Sequence, residues 1–216
     1  MTQTELEYSL CCLSEELLRR EGRKAVILMD DFDWLMRNAR KYHYEEDMRL
    51  FLMSFLNTTH AVMIMTGCYG GWGLPLTYSV LDHRYGEYFG FTEEETDACL
   101  SFYGMKNKKK EVLSWFGGYR IAEREMVKPF TSLDEICIGK EVHDFTICTP
   151  LAENMAYEEY HGSTEAFWTS LLYEGLLTVE SNELEHGRIF YTLRIPNRKS
   201  RQLLAACDVY QKLTSA

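Results

Sequence analysis

The chain has 216 residues and a formal net charge of -10, and 46% of its residues are hydrophobic. This composition excludes a disordered chain, and the acidic balance disfavours nonspecific binding to nucleic acid or to an anionic membrane. Seven cysteines without a C-x-x-C spacing disfavour both a disulfide framework and a structural zinc site. No apolar run approaches the ~20 residues that span a bilayer, so we expect a cytoplasmic protein with no membrane partner.

The first part of the chain alternates between helical and strand patterns. Leucines at helical spacing predict an amphipathic helix over residues 5–20. Apolar runs predict strands over residues 25–29 and 60–66, with helical patterns at 34–39 and 45–57 between them. This order predicts a parallel sheet whose strands are buried on both faces and whose carboxyl ends meet at one edge.

Carboxylates directly follow the first of these strands. Asp30, Asp31 and Asp33 stand where a Walker B element would hold Mg²⁺ beside nucleotide phosphates. The partner of that element, a G-x-x-x-x-G-K-[ST] phosphate loop, does not occur in the sequence, and the glycine-rich residues 67–73 lack its Lys-Ser/Thr. A role as N-terminal caps of the following helix therefore has at least equal support for these acids.

The remaining chain predicts helices first and a hairpin later. Thr92 and Glu95 form a capping-box pattern at the start of a helix. A helix over residues 163–173 and a hairpin of strands at 176–180 and 188–195 predict a winged-helix-like module. Two short helical patterns lie between these parts, at residues 110–116 and 132–138.

Four landmarks in order carry a resemblance to a known family. They are residues 25–33, Ile64-Met-Thr-Gly67, Tyr88-Phe-Gly-Phe-Thr-Glu-Glu-Glu95 and Trp115-Phe-Gly-Gly-Tyr119. With weaker similarity at residues 128–132 and 193–197, the chain resembles a bacterial AAA-ATPase-like family from about residue 24 to about residue 201. That family is related to the signalling ATPases and often carries a nuclease-like domain.

The resemblance implies an α/β fold in three parts. These are a partial parallel-sheet core like that of P-loop NTPases over residues 1–90, a helical lid over residues 91–144 and a winged-helix-like module over residues 145–216. In the family, the strand, phosphate loop and helix that precede the Walker B strand form part of the core. We expect this unit to be absent here, because only one helical pattern precedes residue 25.

The resemblance also implies site residues. It assigns Mg²⁺ to Asp30, activation of the attacking water to Asp31 and sensing of the γ-phosphate to Thr66, while Arg120 is a candidate phosphate contact from the lid. Asp31 stands where the family has a glutamate, and its shorter side chain weakens the case for hydrolysis. We therefore expect no enzymatic activity and no cofactor, with Mg²⁺-ATP as the cofactor if a nucleotide binds.

Three hypotheses for function follow. The favoured one is a non-hydrolysing AAA-ATPase-like regulatory or interaction protein with a protein partner or as a homo-oligomer, because loss of a first strand exposes a sheet edge. The second is an acidic standalone inhibitor or adaptor, encoded by a mobile element, that blocks a nucleic-acid-handling enzyme. The third is half of a split ATPase. A basic patch in the C-terminal module is a candidate nucleic-acid contact, and it contains Arg194, Arg198, Lys199 and Arg201. The resemblance favours a protein contact instead, because this module of the signalling ATPases packs on the ATPase core and regulates it.

Overall fold

A computed structural model describes residues 2–67, 78–121, 124–127, 145–151 and 163–206. It is a mixed α/β structure with small sheets, in agreement with the predicted class. The chain divides into two compact units, Met1–Leu74 and Pro75–Ala216, and each is described by itself. Within the described ranges, no helix is both long and apolar enough to cross a membrane.

The first unit pairs its two strands in parallel, as predicted. Val26 lies opposite Val62, and Leu28 lies opposite Ile64. The predicted single helix at residues 5–20 is in fact two helices, which Tyr8 separates as the C-cap of the first and the N-cap of the second. The elements of this unit are α1 Gln3–Glu7, α2 Ser9–Glu21, β1 Ala25–Met29, α3 Phe32–Lys41, α4 Glu45–Phe55 and β2 His60–Met65.

The core of the first unit lies on one face of this sheet. Phe32 and Met36 of α3 are buried with Leu52 of α4, and Met29 and Met65 from the strands pack against them. The prediction that both faces of the strands are buried is wrong. Alternate side chains of β1 and β2 lie on the opposite face and are 49–72% exposed, namely Val26, Leu28, Val62 and Ile64.

The second unit contains two antiparallel sheets, four α-helices and two short 3-10 helices, Gly86–Tyr88 and Lys106–Lys108, within its described residues. Strands β3 Tyr119–Ile121 and β4 Arg124–Met126 form a hairpin. Strand β7 (Arg188–Arg194) lies at the centre of a three-stranded sheet, between β5 (Thr146–Pro150) and β6 (Thr178–Glu185). The α-helices are α5 Glu93–Phe102, α6 Lys109–Phe116, α7 Thr164–Tyr173 and α8 Arg198–Ala206.

The predicted hairpin of the second unit is confirmed, but its turn is shorter than expected. Strand β6 continues to Glu185, and the turn consists of His186 and Gly187, with φ of 49° and 80°. Two consecutive residues with positive φ match the right-handed twist of the flanking strands. The sheet packs with α7 and α8 around a core that includes Trp168, Leu193 and Leu204.

Other local predictions are confirmed. Thr92 Oγ1 accepts the amide of Glu95, whose carboxylate accepts the amide of Thr92, so both halves of the capping box form. Helix α6 begins at Lys109, within one residue of the predicted start. The predicted helix at residues 132–138, the segment 128–132 and residues 68–73 lie outside the described residues.

Candidate functional site

The structure brings Asp30 and Thr66 together at the carboxyl ends of the parallel strands. Thr66 Oγ1 donates a hydrogen bond to Asp30 Oδ1, which also accepts the amide of Asp31 at 3.1 Å. The Thr66 amide donates to the carbonyl of Met29, and the Thr66 carbonyl accepts the amide of Phe32, both at 2.9 Å. Asp30 therefore ties the end of β1 to the end of β2.

Asp31 lies at the residue before α3, in a left-handed conformation with φ 51° and ψ 38°. Its carbonyl accepts the amide of Trp34 at 2.9 Å, but its carboxylate makes no capping hydrogen bond to the helix. Asp is one of the few non-glycine residues that adopt this backbone conformation readily. The predicted capping role of this side chain is wrong. An Asp at position 31 is instead explained by the left-handed backbone conformation there.

Asp33 is buried in the first turn of α3, with 1% of its surface exposed. Arg37, one turn later, places Nε 3.3 Å from Asp33 Oδ2. Gly67 lies against the same carboxylate so closely that a Cβ at that position would overlap Asp33 Oδ1. The third acid of the predicted cluster therefore packs between α3 and the end of β2. Because residues four apart are neighbours on a helix, the sequence spacing already indicates that Asp33 and Arg37 pair.

Asp30 and Thr66 alone do not complete the ligand shell of a Mg²⁺ ion, which would also need water and phosphate oxygens. The ion prefers an octahedral shell of oxygens, with one or two carboxylates supplemented by water and substrate phosphates. Here, the one carboxylate oxygen that faces Thr66 already accepts two hydrogen bonds. Across the described parts of the chain, no group of three or more His, Cys, Asp or Glu side chains is placed to hold a metal ion.

Arg120 belongs to the second unit, where it connects β3 to β6. Its guanidinium donates a hydrogen bond to the carbonyl of Glu180. Its backbone amide donates to Thr178 Oγ1 at 2.7 Å. Arg120 is a candidate phosphate contact from the sequence. In the structure, its guanidinium contacts the backbone of the neighbouring strand β6.

Arg194, on the central strand β7, contacts the turn before β3. One guanidinium nitrogen donates to the carbonyl of Gly118 at 3.0 Å, and Nε lies 4.0 Å from a carboxylate oxygen of Glu180. Of the four residues in the predicted basic patch, Arg194 is the one that lies outside α8.

Helix α8 carries the other three basic residues in its first turns, beside α6. The guanidinium of Arg198 lies 5.9 Å from the ring centroid of Trp115, and the ammonium of Lys199 lies 5.6 Å from that of Phe116. Arg201 and Arg198 line a shallow surface depression together with Trp115. The basic patch is therefore a surface of mixed basic and aromatic character.

A buried hydrogen-bond network in the second unit was not predicted from the sequence. Tyr119 Oη donates to the carbonyl of Gly175 at 2.9 Å and lies 2.9 Å from Ser200 Oγ. Asn197 Nδ2 donates to the carbonyl of Gly117 at 2.8 Å, and Asn197 Oδ1 accepts the amide of Ser200 at 3.0 Å. Burial raises the pKa of the Tyr119 hydroxyl, so this group stays a donor.

Comparisons of the chain with known protein families, with curated proteins and with solved structures found no match. The resemblance to the AAA-ATPase-like family therefore depends on the sequence landmarks alone.

Proposed function

We propose that the chain is a non-hydrolysing, AAA-ATPase-like interaction protein that acts through contacts with other proteins. One observation carries this proposal: apolar side chains are exposed on one face of β1 and β2. We call this surface the open sheet face, and its members are Val26, Leu28, Val62 and Ile64. Parallel strands are normally covered on both faces, and contiguous exposed apolar side chains mark interaction sites.

The surroundings of the strand-end acids support the absence of hydrolysis. Water activation requires a carboxylate held within hydrogen-bond reach of a water beside a fixed phosphate. Asp30 instead bonds to Thr66, and Asp31 lies in a left-handed turn. The sequence also has no phosphate loop to fix a nucleotide in place.

The parallel pair in the first unit supports a core derived from a P-loop NTPase fold. In the second unit, helix α7 followed by the β6–β7 hairpin supports a winged-helix-like module. In the signalling ATPases, relatives of the family that the sequence resembles, such a module packs on the ATPase core and regulates it. We assign the mixed basic and aromatic surface of α8 to a protein contact here.

Calorimetric titration with Mg²⁺-ATP and Mg²⁺-ADP tests this proposal. We expect no binding heat for the full chain, for Asp30→Asn or for Asp47→Asn, an exposed acid in the first turn of α4 that serves as a matched control. Binding by the full chain that Asp30→Asn abolishes and Asp47→Asn retains would overturn the proposal. The split-ATPase hypothesis would then take its place.

A further inference from the structure

The open sheet face carries opposite charges at its two ends. Lys24 lies directly before β1, and Asp30 lies directly after it, and both side chains are exposed. Lys24 and Asp30 therefore stand at the two ends of the strand that presents Val26 and Leu28. The surface has an apolar centre with a cation at one end and an anion at the other.

We propose that the open sheet face binds a second copy of this chain, with the strands of the two copies running in opposite directions. This inference rests on the proposed function and names the partner. A twofold contact requires a surface that is complementary to itself. In the antiparallel arrangement, Lys24 of one copy lies opposite Asp30 of the other, and Val26 lies opposite Leu28. A parallel arrangement would place like charges together, which disfavours it.

The chemistry of the surface suits face-to-face packing of two sheets. Sheets that pack this way lie ~10 Å apart and interdigitate their apolar side chains. Stable interfaces have such an apolar centre and a polar rim, which Lys24, Asp30 and Thr66 would supply here. Four aliphatic side chains cover less than the ~800 Å² per partner of a standard interface. We therefore expect a dimer that dissociates on dilution.

Sedimentation velocity over a range of protein concentrations tests this inference on the full chain. We expect a monomer–dimer equilibrium whose dissociation constant rises at least about tenfold in Leu28→Asp, because a buried charge would lack a partner. The matched control is Leu184→Asp on β6, because Leu28 and Leu184 are both 72% exposed. The control should leave the dissociation constant unchanged.

A second pair of variants tests the arrangement without altering the apolar centre. Lys24→Glu should weaken the dimer by placing like charges opposite each other, and this weakening should lessen as the salt concentration rises. Arg23→Glu is the control, since it makes the same change of charge at the neighbouring exposed position. These variants decide the question if Leu28→Asp fails to fold.

Three results would overturn the inference. They are a monomer at every concentration, equal weakening by Leu28→Asp and Leu184→Asp, and equal weakening by Lys24→Glu and Arg23→Glu. A monomer that binds no nucleotide would leave the proposed function standing and assign the open sheet face to a different protein. A dimer that binds Mg²⁺-ATP through Asp30 would instead overturn the proposed function, while the inference that the open sheet face binds a second copy would still hold.

Discussion

At the scale of single residues, the acids after β1 have structural partners or structural reasons for their identity. Asp30 bonds to Thr66, Asp31 occupies a left-handed turn, and Asp33 is buried against Gly67 with Arg37 beside it. An acidic cluster of this kind in a sequence indicates metal chemistry, yet each member here helps to join β1, α3 and the end of β2.

Asp31→Glu would restore the glutamate of the family that the chain resembles. We expect this variant to lose about 1 kcal/mol of unfolding free energy, because a longer side chain is disfavoured in the left-handed region. We also expect no release of phosphate from ATP. Urea denaturation and a phosphate-release assay measure the two effects.

Asp31→Asn is the control for this prediction, because Asn also adopts the left-handed conformation readily. Its unfolding free energy should stay within about 0.5 kcal/mol of the wild-type value, as for most exposed substitutions. A stable Asp31→Glu variant that hydrolyses ATP would contradict both the structural role and the proposed function.

At the scale of secondary-structure elements, the landmarks that carry the family resemblance have structural roles in this chain. The turn before β3 and the start of α8 contact each other, because Asn197 donates to the carbonyl of Gly117. Gly118 has a φ of 78°, and a Cβ on it would overlap the carbonyl oxygen of Pro196. Glycine is required there both for its backbone conformation and for the close approach.

The Phe-Gly-Phe-Thr landmark before α5 also has a structural reason. Phe91 exchanges backbone hydrogen bonds of 2.7 Å with Val127. A Cβ on Gly90 would lie 3.0 Å from the carbonyl oxygen of Val127, so a larger residue would require a shift of a few tenths of an ångström. Thr92 then caps α5. These residues join the start of α5 to the end of the β3–β4 hairpin.

Tyr119→Phe removes the hydroxyl that bonds to both the Gly175 carbonyl and Ser200 Oγ inside the second unit. We expect a loss of about 1–2 kcal/mol of unfolding free energy at neutral pH, the typical effect of losing a buried hydrogen bond. Tyr103→Phe is the matched control, because Tyr103 is 69% exposed, and it should have almost no effect. Chemical denaturation measures both variants.

Wild type and Tyr119→Phe should also differ in how their unfolding free energy depends on pH. Burial raises the pKa of Tyr119, so the stability that its protonated form contributes is present below the unfolded value of ~10. That stability is lost as the pH rises through the pKa of the folded state. The difference in unfolding free energy between wild type and Tyr119→Phe should therefore shrink above pH ~10. A constant difference across that range would contradict the effect of burial.

Local patterns predicted most of the helices and strands, and contacts distant in sequence account for what was missed. The capping box at Thr92 and the strand at Ala25–Met29 depend on neighbouring residues, so the sequence was sufficient for both. In contrast, the contact of Asp33 with Gly67 joins residues far apart in the chain. Arg120 also binds a carbonyl 60 residues away.

The exposure of one sheet face could not be predicted from the strands themselves. Val26 and Leu28 have the same apolar character as the buried Ile27 between them. A continuous apolar run is typical of a strand covered on both faces. Whether a second layer covers that strand depends on elements elsewhere, and α3 and α4 pack on one face of the pair.

At the scale of the whole molecule, an acidic chain with an open sheet face is expected to be selective in its contacts. The net charge of -10 keeps most copies apart and disfavours nonspecific binding to nucleic acid. The open sheet face carries a cation at one end and an anion at the other, so an antiparallel contact adds attractive charge pairs that offset part of this repulsion. If the protein acts through this contact, the open sheet face must be accessible in the monomer and covered in the dimer.

Thiol labelling of Leu28→Cys, followed by peptide mass spectrometry to separate it from the native cysteines, tests this requirement most directly. We expect Leu28→Cys to react as fast as Leu184→Cys in dilute protein, because both leucines are 72% exposed. In concentrated protein, the reaction of Leu28→Cys should slow while that of Leu184→Cys does not. Slow labelling of Leu28→Cys at every concentration would show that the chain covers this face itself. Fast labelling at every concentration would show that no second copy binds there.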